Sequence, residues 1–225
     1  MLSSERLLLV VAHPDDEVLM AGGTMAIARS RGAEVAVLFM ADGCTSRDAV
    51  PNIAVEAKRR AAKRANAALG VKAAYFEKFP DNRMDDSTRL EVAKAIEYYI
   101  DMAKPTIVIT HHGSDVNIDH RVVNDAVIIA CRPQPGCTVK RLLFGEVPSS
   151  TEYQAPGRVA FQPTYFVDVT RAMPKKMKAL GHYAGEMRPW PHARSMRGVE
   201  ALARWRGASV GVQAAEAFVL AREIA

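Results

Sequence analysis

Residues 10–24 read VVAHPDDEVLMAGGT, an apolar run that stops on His13, Pro14 and three consecutive acids, Asp15, Asp16 and Glu17. His13 and Asp16 stand three apart, so a helical turn opening at Pro14 places both on one side. Imidazole nitrogen and carboxylate oxygen are ordinary zinc ligands. Asp15 then points elsewhere, where it can accept a proton from a metal-activated water. Acids in a first helical turn also have a plainer use, favouring the helix dipole by roughly 0.3–1 kcal/mol, and that reading is preferred for Glu17. A second polar stretch, HHGSDVNIDH at 111–120, supplies His120 with Asp119 beside it, again at a helix start. His13, Asp16 and His120 make a His–Asp–His set with a position left for water, the catalytic rather than the structural zinc pattern. A divalent cation there offsets the acidic crowding. His111 and His112 are read as loop or packing residues.

The elements that must bring these loops together are legible as alternating runs. RLLLVVA is continuously apolar, as a buried parallel strand is. EVLMAGGTMAIARSRG follows as a helix ending at Gly32, with arginines in its last turn. AEVAVLFM, KAAYFE and TIVIT read as further strands. AVEAKRRAAKRANAALG, STRLEVAKAIEYYIDMAK (Ser87 or Thr88 as N-cap) and DHRVVNDAVIIACR read as helices. The rhythm predicts an α/β fold with a doubly wound, mostly parallel, Rossmann-like sheet and helices on both faces. RLLFGEV and TYFVDV extend the sheet, PKKMKALGHYAGEM and ARSMRGVEALARWRG are helical, and the tail AAEAFVLARE suits either state. Ligands in such sheets bind at the carboxyl ends of the strands. That edge gathers HPDDE, ADGCTSR, FPDNRMD and HHGSDVNIDH. With no repeat or linker in view, 1–225 is read as one domain.

Composition narrows the classes. Hydrophobic residues make up 49% and charged residues 24% of the chain, too apolar for disorder. The first apolar run is too short for a membrane span or signal sequence. Three cysteines without CxxC spacing argue against a disulfide framework and fit a reducing cytoplasm. The net charge of +5 comes from scattered basic residues, which disfavours nucleic acid and leaves an anionic small substrate open.

AHPDDE followed by AGGT, with the later DVNIDHR, resembles the PIG-L or LmbE-like family of zinc-dependent N-acetylglucosamine deacetylases. The likeness extends through ADGCTSR, FPDNR, EVPSSTEY, PHARS and the AEAF of the tail. It implies His13, Asp16 and His120 as zinc ligands, with Fe2+ as another candidate metal, and Asp15 as general base toward a metal-bound water. The implied reaction is hydrolysis of the N-acetyl group of an amino sugar conjugate. One position departs: many relatives carry a histidine where this chain has Asn117, which can donate a hydrogen bond but cannot carry a proton through this chemistry. His192, in RPWPHARS, is the candidate replacement, with Asn117 itself the other catalytic donor. Arg47, Asp81, Asn82, Asp115, Arg188 and Arg194 are candidates for binding substrate hydroxyls or an anionic group. Asp81, Asn82 and Asp115 have the further option of buttressing a zinc-bound histidine. Alternatives are a zinc hydrolase or hydratase acting on a different small substrate, a non-haem iron oxygenase, and a non-catalytic sugar- or nucleotide-binding module. A homo-oligomer is left open.

Overall fold

A computed structural model describes residues 5–46 and 52–225. Strand β1 (Arg6–Val11) leads into α1 (Asp16–Ser30), then β2 (Glu34–Ala41), α2 (Asn52–Leu69), β3 (Ala73–Phe79), α3 (Arg89–Ala103), β4 (Ile107–His111) and α4 (Ile118–Ala130). The second part adds β5 (Arg141–Gly145), β6 (Tyr165–Asp168), α5 (Met173–Leu180), α6 (Met196–Ala208) and β7 (Ala215–Glu223). The sheet order is β3-β2-β1-β4-β5-β7-β6. β1 to β5 are parallel, and the chain reverses direction across the sheet between β1 and β4. This is the doubly wound α/β fold. The ambiguous tail is a strand: β7 inserts antiparallel between β5 and β6, where Phe218 is fully buried.

Alternation along the strands feeds two cores. Leu7, Leu9, Val11, Val37 and Phe39 face the layer of α1, α2, α5 and α6. Leu8, Val10, Leu38 and Met40 face α3 and α4. Burial on both faces is why these strands read as unbroken apolar runs. Helix α3 starts on Thr88, whose hydroxyl accepts the Glu91 N–H while the Glu91 carboxylate accepts the Thr88 N–H, a capping box.

Helix α1, which carries the acidic motif, is broken at Ala21 (φ −140°, ψ 20°). The break leaves backbone groups without helical partners, and a buried ion pair takes them. Glu216 of β7 accepts the Gly23 and Thr24 N–H groups at 2.8 and 2.6 Å. Lys176 of α5 donates to Leu19 O at 2.9 Å and to Glu216 at 2.7 Å. A Cβ on Gly23 would lie 2.6 Å from Val169 Cγ1, so AGGT needs its glycine for close approach. The first half of α1 is thereby set against the sheet edge. Among the described residues no helix is long and apolar enough to cross a membrane.

Candidate metal centre

His13 leaves the end of β1 and Asp16 opens α1; His120 lies in the first turn of α4, beyond the neighbouring strand β4. All three are buried. Asp16 Oδ2 lies 3.4 Å from His13 Nδ1 and 3.2 Å from His120 Nε2. Tetrahedral zinc with ligands at its usual lengths sets neighbouring donors about 3.3–3.5 Å apart. The donor set therefore fits zinc in chemistry, its two Asp16 contacts fall close to that spacing, and all three donor atoms lie within 4.8 Å of one another. His13, Asp81 and Asp119 form a second cluster of comparable compactness. Its carboxylates are already engaged: Asp119 accepts the Asn82 and Met84 N–H groups at 2.7 and 2.9 Å, and Asp81 accepts the Ser46 N–H at 3.0 Å. They serve better as acceptors for His13 Nε2, at 2.9 Å from Asp119 and 3.1 Å from Asp81. Each candidate ligand imidazole thus turns one nitrogen toward Asp16 and the other toward a buried carboxylate. For His120 the carboxylate is Asp115, 3.2 Å from Nδ1. This backing fixes ring orientation and raises ligand basicity.

Charge follows the same contacts. Burial opposes a proton on His13, but Asp119, Asp16 and Asp81 outweigh it and hold its pKa well above the ordinary value. Burial likewise opposes charge on His120, and Asp16 and Asp115 raise it to about 9. Burial works against an ionised Asp16, yet His120 and His13 keep it well below the carboxylate range. Burial also disfavours an ionised Asp81, which contact with His13 nevertheless lowers to about 2. His111 is different. Burial, then the neighbouring His120, push it down to about 3. It is a neutral ring stacked on His120 at 3.8 Å, with Nε2 accepting the Ala12 N–H at 2.8 Å. It packs β4 against β1 directly behind the cluster.

Asp15 is buried beside the donors, with its carboxylate 3.2 Å from Arg194 Nη1. Burial raises its pKa to about 6, against the pull of Arg194. Arg194 also donates to Ser149 Oγ at 3.0 Å, so it bridges the loop after β5 to the acidic motif. His192, on the same loop, is exposed, and its Nδ1 accepts the Arg194 N–H at 3.0 Å. No contact among the described residues joins the His192 ring to the cluster. Asn117 is the N-cap of α4: Oδ1 accepts the Asp119 N–H at 2.8 Å, and Nδ2 donates to Asn82 at 3.0 Å.

The other candidates divide. Asp81 and Asp115 are wholly inside, against His13 and His120. Asp115 also accepts the Ser150 and Thr151 hydroxyls and the Asn117 N–H, which leaves it no free face for a substrate. Asn82 is exposed where the loops after β2, β3 and β4 meet. Arg188 is exposed and folds back on the carbonyls of Gly185 and Met187. Arg47 lies outside the described residues. Asp119, seen in the sequence only as the neighbour of His120, and Ser150 and Thr151, given no role there, also belong to the cluster. The signal for the hydroxyls was available in the polar SST at 149–151, in the loop after β5.

A Rossmann-like sheet with a zinc-compatible His–Asp–His set at its carboxyl edge defines a metal-dependent α/β enzyme. Residues 8–131 match the PIG-L family, GlcNAc-PI de-N-acetylase, and the chain belongs to that family. It is 25% identical over 193 residues to a Bacillus anthracis protein, "Probable N-acetyl-alpha-D-glucosaminyl L-malate deacetylase 2", covering 83% of each chain. Its fold is similar to N,N'-diacetylchitobiose deacetylase from Pyrococcus horikoshii (TM-score 0.79, 21% identity, 97% of this chain and 84% of that one). It is also similar to 4-carboxy-2-hydroxymuconate hydratase from Pseudomonas putida (TM-score 0.78, 21% identity, 98% of each chain).

Proposed function

We propose that the chain hydrolyses the acetamide of an N-acetylated amino sugar conjugate, giving the free amine and acetate. The observation that carries the reading is a buried carboxylate, Asp15, next in sequence to a donor of the metal set and pointing not at that set but at Arg194. His13, Asp16 and His120 would hold the cation, which would supply Lewis acidity toward water and a carbonyl. Asp15 takes the proton of the attacking water and returns it to the departing nitrogen. Arg194 keeps Asp15 oriented and presents a permanent positive charge where the developing oxyanion needs a donor, the part that Asn117 cannot play with a proton. Asn82, with its side chain at the junction of three loops, is suited to sugar hydroxyls. Arg188 and His192, exposed on the loop that carries Arg194, are suited to the group attached to the sugar. The family and the Bacillus anthracis relative, whose name specifies an N-acetylglucosaminyl malate, support a glucosaminyl conjugate.

The likeness to a hydratase supports a second reading, addition of water to a carbon–carbon double bond by the same base. Acetate release separates the two. The test presents zinc-loaded protein with N,N'-diacetylchitobiose, N-acetylglucosaminyl malate and a nucleotide-linked N-acetylglucosamine. We expect acetate from at least one. Asp15→Asn should keep zinc and lose about 10²–10⁴-fold in kcat, while His120→Ala should lose zinc. Normal turnover by Asp15→Asn, or equal zinc retention by His120→Ala, would refute the corresponding role.

A further inference from the structure

Glu17 has no part in the reaction as written, yet it is fully buried and engaged on both carboxylate oxygens. Oε2 accepts the Asp15 N–H at 3.0 Å. Oε1 accepts the Tyr183 hydroxyl at 2.6 Å and the Asn66 side-chain amide at 3.0 Å. Asn66 comes from α2, and Tyr183, itself buried, from the turn after α5. A helix-dipole role calls only for negative charge near the first turn, which an exposed side chain provides. It does not call for two buried partners from separate elements.

What Glu17 holds is an unusual backbone. Asp15 has φ 120° and ψ −31°, outside the regions that residues with a Cβ ordinarily occupy. Such a conformation persists only where its surroundings over-determine it. The Asp15 carbonyl is held by the Val18 and Leu19 N–H groups at 3.2 and 3.0 Å. Its N–H is held by Glu17. We infer that Glu17 is the positioning residue for Asp15: with Tyr183 and Asn66 it locks the Asp15 backbone in the conformation that points the carboxylate at Arg194 rather than at the metal donors. The catalytic half of this inference rests on Asp15 being the base.

Glu17→Gln is the informative change. An amide has one accepting end and one donating end. Oε1 serves two donors, Tyr183 and Asn66, and Oε2 only the Asp15 N–H, so the amide oxygen keeps the doubly used side and the glutamine NH2 meets the Asp15 N–H. Glu77→Gln is the comparator: a carboxylate on β3 that, like Glu17, accepts a tyrosine hydroxyl, that of Tyr99 at 2.9 Å, and has no contact with Asp15. Four quantities are measured on the zinc-loaded full chain: hydrogen exchange of the Asp15 amide, kcat and KM for the conjugate that releases acetate, and zinc affinity. For Glu17→Gln we expect Asp15 exchange to accelerate about tenfold or more, as loss of a buried hydrogen bond allows. We expect kcat to fall about 10- to 100-fold, the scale of a small misplacement of a catalytic group. KM and zinc affinity should stay close to those of the parent, and Glu77→Gln should leave Asp15 exchange and kcat unchanged. Tyr183→Phe, which keeps the ring and removes one donor to Glu17, should shift the same two quantities by less and serves if Glu17→Gln does not fold. Unchanged Asp15 exchange in these Glu17-network variants would overturn the proposal, as would equal losses of kcat in Glu77→Gln. Faster exchange together with full activity in Asp15→Asn would instead refute Asp15 as the base while leaving the backbone lock standing.

Discussion

The backing of His13 by Asp119 yields a quantitative prediction for metal affinity. Asp119 is fully buried and surrounded by donors alone: the Asn82 and Met84 N–H groups and the Nε2 edge of His13. Asp119→Asn preserves volume but turns an NH2 group toward one of them. Asp119 Oδ1 serves Met84, and Oδ2 serves both Asn82 and His13. The arrangement that costs least keeps the amide oxygen on the doubly used side, and even then His13 faces a neutral acceptor instead of an anion. Loss of such a carboxylate behind a ligating histidine typically weakens metal binding about 10- to 100-fold, or about 1.4–2.7 kcal/mol. Asp81, 3.1 Å from the same nitrogen, takes over part of the role and places the expectation nearer the lower bound. The double variant with Asp81→Asn should reach the upper one. Competition against a chromophoric zinc chelator at fixed pH measures both. Zinc affinity unchanged in the double variant would refute the assignment of His13 Nε2 to the carboxylates and of Nδ1 to the metal.

Two further predictions concern the frame around the site. Lys176→Met should strand Glu216 as a buried, uncompensated charge, and breaking a buried pair in this way costs about 3–5 kcal/mol. At roughly 2–4 °C per kcal/mol for a chain of this size, Tm should fall roughly 6–20 °C in a thermal melt, and a change under about 2 °C would show that the pair does not brace the broken helix. Arg194→Met should retain zinc and lose about 10- to 100-fold in kcat, corresponding to about 1.5–3 kcal/mol for a hydrogen bond to a charged group. Arg194→Lys should recover only part, because one ammonium does not span Ser149 and Asp15 as the guanidinium does; full recovery would reduce the role of Arg194 to charge alone.

Much of the fold was legible because its signals are local. Strands β1 and β2 are apolar throughout, since both faces are covered, and the helices between strands announce their ends with Thr88, Gly32 and Gly70. The tail was not legible. Its alanines suit a helix, and only the slot between β5 and β6, formed by chain far away in sequence, makes AEAFVLARE a strand. The break in α1 was hidden for the same reason. AGGT shows small residues, but the Glu216 carboxylate that restarts the helix arrives from 193 positions further along the chain.

The candidate site divides along the same line. His13 and Asp16 were readable from spacing within one turn, whereas His13 and Asp119 meet across 106 positions, Glu17 and Tyr183 across 166, and Arg194 and Asp15 across 179. Consecutive residues take different tasks for two reasons: Asp15, ahead of the helix, is turned by its own backbone at φ 120°, while Asp16 and Glu17 diverge by helical rotation, each step along the opening turn redirecting the side chain. Asp15 goes to Arg194, Asp16 to the imidazoles and Glu17 to Tyr183. In α4, Asp119 goes to His13 and His120 to Asp16. These last two contacts cross. The acid after β4 supports the histidine after β1, and the acid after β1 faces the histidine after β4. β1 and β4 are adjacent where the sheet order reverses, and a crevice opens at that point in folds of this class. The cross-bracing makes the two loops interdependent. A displacement of either one alters both candidate metal-ligating histidines, and the dipeptide Asp119–His120 belongs to the centre as a unit, although only its second residue faces Asp16.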